Sequence, residues 1–195
     1  MLVSHTILFI GWLLCYAIHS IMAGNSLRNK IKLGQQVYRL LYNLIAIISF
    51  GAIVLYGVSI DTVLLFPPNQ LTFYLGLMLA TFGIFIIKRT FRAYSTLKFL
   101  GLKKQDSTIE KLKTDGIQAY VRHPLYTGTL LIFIGYALFN PTLANTITLV
   151  ALLIYLPIGI RSEEKKLLIL FGEHYMLYKD NTPALIPSFR KKGSS

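Results

Sequence analysis

Arg122-His123-Pro124-Leu125-Tyr126-Thr127-Gly128 places a guanidinium, an imidazole and a phenol together at the mouth of an apolar run. Pro124 biases His123 away from helical geometry and suits the first turn of a helix. A helix start is therefore predicted at residues 123–125. Gly116, just upstream, permits a turn with positive φ. The free amides and positive dipole end of such a helix would accept an anionic group, flanked by His123 and Tyr126. The same residue types also form ordinary interfacial belts. At the far end of the apolar run stands Arg161-Ser162-Glu163-Glu164. Lys165 and Lys166 would neutralise the two acids, or the acids would receive an amino group or ribose hydroxyls of a ligand. Arg161 shares a helical face with Glu164, as its salt-bridge partner or as a group that orients an anionic substrate.

Other polar residues sit near the ends of apolar segments. His19 and Ser20 close the first; Arg39, Tyr42 and Asn43 open the second. Polar side chains at membrane depth default to a site, so His19, Arg39 and Asn43 are expected to line a substrate entrance, with snorkelling to the interface as the other reading. His5 and His174 are expected at the surface. Four histidines without carboxylate spacing argue against a metal site. Cys15, the single cysteine, is expected to be a buried, inert thiol. No G-x-S-x-G, Walker A or G-x-G-x-x-G pattern occurs, so nothing supports a soluble Rossmann-type enzyme.

The elements that must position these residues follow from composition. The 195-residue chain is 54% hydrophobic and 14% charged, against about a quarter charged in ordinary soluble proteins. Mean hydropathy is +0.56. The expected fold is all-α: one polytopic membrane helical bundle over residues 1–195, with about five spans and a cytoplasmic C-terminal helix. The spans are read at 2–22, 38–60, 71–91, 125–139 and 143–160, with the tail at 161–195. Pro67-Pro68-Asn69 separates the second and third; Asn140-Pro141 separates the last two.

Charge then orients the bundle. All 20 Lys and Arg lie in or border the first gap, the third gap or the tail. Residues 61–70 and 140–145 carry none. An outside N-terminus and a cytoplasmic C-terminus place every cation on one side, as in a bacterial or archaeal inner membrane. The net charge of +12 then suits an anionic leaflet, at about 1 kcal/mol per cation. Membrane lipid is the expected partner, and nucleic acid is not, since basic aromatic strands and zinc-finger spacings are missing. Between the third and fourth spans, Phe91, Tyr94, Leu97, Lys98 and Leu102 are spaced for an amphipathic interfacial helix or an extension of the third span. Residues 163–178 read as a tail helix with Leu167, Leu168, Leu170, Phe171, Tyr175 and Tyr178 on its apolar side and Gly172 as a kink. Pro183 and Pro187 end regular structure.

The set R-H-P-x-Y-x-G, E-E and Phe171-Gly172-Glu173-His174-Tyr175-Met176-Leu177-Tyr178 resembles the C-terminal half of integral-membrane methyltransferases, over residues 114–187. That group includes isoprenylcysteine carboxyl methyltransferase and phospholipid N-methyltransferases. His19-Ser20-Ile21-Met22-Ala23 and Tyr38-Arg39-Leu40-Leu41-Tyr42-Asn43 resemble its bacterial branch of methanethiol S-methyltransferase and NnrU-like proteins. The resemblance implies S-adenosylmethionine as methyl donor and a small apolar or lipid-like acceptor. By the same resemblance Gly116, Tyr120, Arg122, His123, Pro124, Leu125, Tyr126, Leu131, Gly135, Glu163 and Glu164 would contact the cofactor; Arg161 and His123 are the expected catalytic residues. In carboxyl-methylating members an arginine stands near the place of Gly159; here the arginine is Arg161, on another face, which speaks against an isoprenylcysteine carboxylate as substrate. Alternatives are an NADPH-dependent reductase of the sterol-reductase type and a non-catalytic membrane protein on the same scaffold.

Overall fold

The computed structural model describes residues 1–31, 33–93 and 111–187. Among the described residues seven α-helices are formed: α1 Leu2–Ala23, α2 Asn25–Lys30, α3 Gln35–Ser59, α4 Gln70–Ala93, α5 Pro124–Phe139, α6 Leu143–Phe171 and α7 Glu173–Asn181. A 3-10 turn covers Gly116–Ala119. No strand occurs among the described residues. α1, α3, α4 and α6 are long and apolar enough to cross a membrane; α5 is a shorter apolar helix. Helices satisfy their own backbone groups, which is what hydrocarbon surroundings demand. Their outward faces carry exposed Leu55, Val58, Phe82, Ile84 and Phe85, as suits contact with lipid.

Local sequence sets the helix ends. Asn69 and Thr72 cap α4 reciprocally: the Thr72 amide donates to Asn69 Oδ1 at 2.9 Å, and the Asn69 amide donates to Thr72 Oγ1 at 3.1 Å. Thr142 caps α6, accepting from the Asn145 amide at 3.2 Å. Pro124 opens α5 with His123 as its N-cap residue, where the sequence predicts the start.

Two packing seams hold the bundle. Along α4 and α5 the backbones touch. A Cβ on Gly83 would lie 2.5 Å from the Gly128 carbonyl oxygen, and one on Gly76 would lie 2.5 Å from that of Gly135. Small residues allow this close approach, which lipid-embedded helices use where burial from water gives no driving force. The other seam joins α1, α3 and α6 around Trp12, which is fully buried with Leu8 and Ala151. The Trp12 indole donates to Thr148 Oγ1 at 2.9 Å, and its ring contacts Tyr16, Phe50 and Phe133.

The bundle's two ends differ. At one, the Leu65 amide donates to the Pro141 carbonyl and the Leu143 amide to that of Val63. His5 joins this layer. It is buried, its Nδ1 2.8 Å from the Met1 carbonyl and its Nε2 3.2 Å from Thr62 Oγ1. The expectation of a surface histidine at 5 is corrected: the cation-free loop folds back over the start of α1. Every described Lys and Arg lies toward the opposite end.

The tail also departs from expectation. α6 does not stop at residue 160 but runs unbroken to Phe171, with Pro157 inside it. No residue at 161–164 interrupts the helical pattern. Gly172 does, with φ at +54°; the helix restarts at Glu173. The apolar side read for a tail helix is not packed as one stripe: Tyr175 is buried, while Leu168 and Leu170 are exposed. Tyr94, Leu97, Lys98 and Leu102 of the expected interfacial helix lie outside the described residues.

Candidate functional site

The projecting end of α6, the start of α5 and the tail converge on Glu164. Glu164 is buried and fully engaged. Its Oε1 accepts from Arg122 Nε at 3.0 Å and Nη2 at 2.6 Å, and lies 3.3 Å from His123 Nε2. Its Oε2 lies 2.7 Å from Lys179 Nζ. Burial acts to raise the Glu164 carboxyl pKa, but the Lys179, Arg122 and His123 hydrogen bonds outweigh it and hold the group at about 2. Glu164 sits in the polar stretch Arg161-Ser162-Glu163-Glu164-Lys165-Lys166, which follows the apolar part of α6.

Arg122 also organises the tail. Its Nη1 donates to the Lys179 carbonyl at 2.9 Å and to the Thr182 carbonyl. Its amide donates to the Pro183 carbonyl at 2.9 Å, and the His123 amide to that of Ala184 at 3.0 Å. Thr127 Oγ1 donates to the Leu185 carbonyl at 2.8 Å. Residues 182–185 thus form a strap across the entry to α5. The Tyr178 hydroxyl donates to the Gln118 carbonyl at 2.6 Å, tying α7 to the 3-10 turn. Gly116 opens that turn at φ +61°, as its position predicts.

Glu163 is placed differently. Its side chain is 47% exposed. His123 Nδ1 lies 3.4 Å from its Oε2, and Tyr126 faces it. The His123 and Tyr126 rings are 5.6 Å apart. No side chain caps α5. An open carboxylate, a phenol, an imidazole and a bare helix start therefore share one corner.

Arg122, His123, Pro124, Leu125, Tyr126, Glu163 and Glu164 are brought together at this end of the bundle. Four other expected site residues, Arg161, Tyr120, Gly135 and Leu131, do not join these contacts. Arg161 is exposed, and Glu164 takes Arg122 and Lys179 as partners instead; helical spacing put Arg161 within reach, but a tertiary contact won. Tyr120 is 66% exposed. Gly135 packs against Gly76 and Ala80 of α4. Leu131 is half-buried farther along α5. Lys166 donates to the Ala23 carbonyl at 2.7 Å, closing the end of α1 and leaving the glutamates to others.

His19 of α1 and Tyr42 of α3 pair near the cation-rich ends of these helices. The Tyr42 hydroxyl lies 3.0 Å from His19 Nδ1, with Arg39 nearby. Tyr155 and Tyr126 meet at Gly159, where a Cβ would lie 3.2 Å from the Tyr155 ring and 3.4 Å from the Tyr126 hydroxyl. Tyr155 escaped the sequence reading. Its signal was spacing: Tyr155, Gly159 and Glu163 recur every four residues and so share one face of α6.

An all-helical, polytopic membrane bundle with a polar corner at its cation-rich end is the class these features define. Within that class the chain belongs to the NnrU family, whose sequence pattern (NnrU protein) matches residues 7–186. It is 36% identical over 94 residues to methanethiol S-methyltransferase of Crocosphaera subtropica, covering 48% of this chain and 36% of that protein. It is 31% identical over 124 residues to methanethiol S-methyltransferase of Pseudomonas deceptionensis, covering 63% of this chain and 46% of that protein. The chain thus spans less than half the length of these curated relatives. No solved structure matches it significantly.

Proposed function

We propose that the protein is an S-adenosylmethionine-dependent methyltransferase that acts at the cytoplasmic membrane face on a small apolar acceptor, a thiol before a carboxylate or amine. One observation carries the reading: Glu164 is saturated by the tail clamp, while Glu163 stays open beside Tyr126, His123 and the uncapped start of α5. The similarity to methanethiol S-methyltransferases supports methyl transfer and favours sulfur as the accepting atom.

The donor supplies an electrophilic methyl group on a sulfonium. The residues present fit such a group. Glu163 receives the amino end, the first-turn amides of α5 receive the carboxylate, and Tyr126 lies against the body. His123 orients Glu163. Arg122, Glu164 and Lys179 hold the strap over the corner and limit water. The chain's main contribution is to align and desolvate the reactants, which is worth about 7–11 kcal/mol in well-oriented reactions. His19, Arg39 and Asn43 border the entry of an apolar acceptor from lipid. The N-terminus lies outside and the cation-rich end faces the cytosol.

Calorimetric titration with S-adenosylhomocysteine tests the donor site. Purified protein should bind it, and Tyr126→Ala should abolish binding in a folded bundle. Unchanged affinity in both Tyr126→Ala and Glu163→Ala overturns the assignment. A radiolabelled methyl screen with small thiols then tests the reaction.

A further inference from the structure

The tyrosines where α1, α3, α5 and α6 meet form a second structured region beside the corner. Tyr155 on α6 stacks on Tyr16 of α1, with ring centroids 4.4 Å apart and planes 5° from parallel. The Tyr155 hydroxyl lies 3.0 Å from Ser20 Oγ, so the ring is braced at its face and at its tip. Tyr126 of α5 approaches the same ring across Gly159. Gly159 makes the room: a Cβ there would lie 3.2 Å from the Tyr155 ring and 3.4 Å from the Tyr126 hydroxyl. The Tyr16 hydroxyl is buried and lacks a hydrogen-bond partner, although buried hydroxyls normally find one.

We infer that Tyr155, braced by Tyr16 and Ser20, is the residue that limits the size of the methyl acceptor. The inference rests on the methyl-transfer reading above. Tyr126 belongs both to the Glu163 corner and to the tyrosine wall, so a molecule lodged against Tyr155 lies beside the donor site. Phenol faces suit a short alkyl group, and the unpartnered Tyr16 hydroxyl suits a weakly polar sulfur. An anionic acceptor would meet the Glu163 carboxylate. The stacked pair cannot swing aside without losing both its stack and its hydrogen bond, so ring volume fixes the space available to a chain. In the reaction the acceptor sulfur bonds the methyl carbon as that carbon's bond to the donor sulfur breaks. The electron pair stays on the donor sulfur, and the thiol proton is released to water.

The test compares kcat/KM for 1-hexanethiol and methanethiol in the detergent-purified full chain. Tyr155→Ala should raise the hexanethiol-to-methanethiol ratio by about 10-fold or more, since single methylenes in a fitted pocket already discriminate at that scale. Tyr155→Phe keeps the ring and should keep the parental ratio. Should Tyr155→Ala not fold, Tyr155→Leu decides by the same ratio. An unchanged ratio in an active variant with parental S-adenosylhomocysteine affinity overturns the size filter alone. Failure of the parent protein to methylate either thiol overturns the underlying reading.

Discussion

Arg122 and Glu164, far apart in the chain, meet through two hydrogen bonds to one carboxylate oxygen, at 3.0 and 2.6 Å. The guanidinium's remaining nitrogen reaches two carbonyls of the tail. One pair thereby joins the start of α5, the end of α6 and the strap. It also divides the labour of the adjacent glutamates, leaving Glu163 open.

That division predicts opposite phenotypes for neighbouring substitutions. Glu164→Ala strands a mostly buried guanidinium and should cost about 3 kcal/mol or more of stability. Glu163→Ala should cost at most about 1 kcal/mol yet weaken S-adenosylhomocysteine binding by about 10- to 100-fold, the scale of one charge-assisted hydrogen bond. Thermal melts and calorimetry on both variants check this. Equal destabilisation would contradict the assignment.

Glu164 also sets an acid limit. Its carboxyl is lowered from 4.5 to about 2 in the folded protein. The folded state therefore favours the ionised form, and the resulting stability is fully present above about pH 4.5 and fades as pH falls toward 2. Melting temperature should drop across that window, and Glu164→Gln should flatten the drop.

The α4–α5 seam predicts a contrast between glycines. Gly83→Val places a side chain against the Gly128 carbonyl and should cost more than the roughly 1–3 kcal/mol of ordinary overpacking, because backbone cannot yield. Gly51→Ala on α3 meets nothing within 4 Å and should stabilise by up to about 1 kcal/mol. Detergent melts of the two variants decide it.

Orientation is testable because Cys15 is the only cysteine. In a Cys15→Ser background, Ser162→Cys should react with an impermeant maleimide only after the inner face is opened. Gln70→Cys should react in intact cells. The reverse pattern would invert the proposed topology.

The all-helical class and the order of the long apolar helices were legible in the sequence because the long apolar runs answer to a single demand, that backbone groups be satisfied without water. Pro124 and Gly116 likewise announced a helix start and a turn through their own backbone limits. Other choices depended on partners distant in the chain. Glu164 takes Arg122 and Lys179 over the nearer Arg161 because α7 and the approach to α5 pack against the end of α6. His5 became buried because a distant loop supplied Thr62. Gly135 faces α4 and not the polar corner because two backbones close to contact there. Local backbone chemistry is written in each residue and its neighbours, whereas the partner of a charge or the face of a glycine is fixed only when separate helices pack.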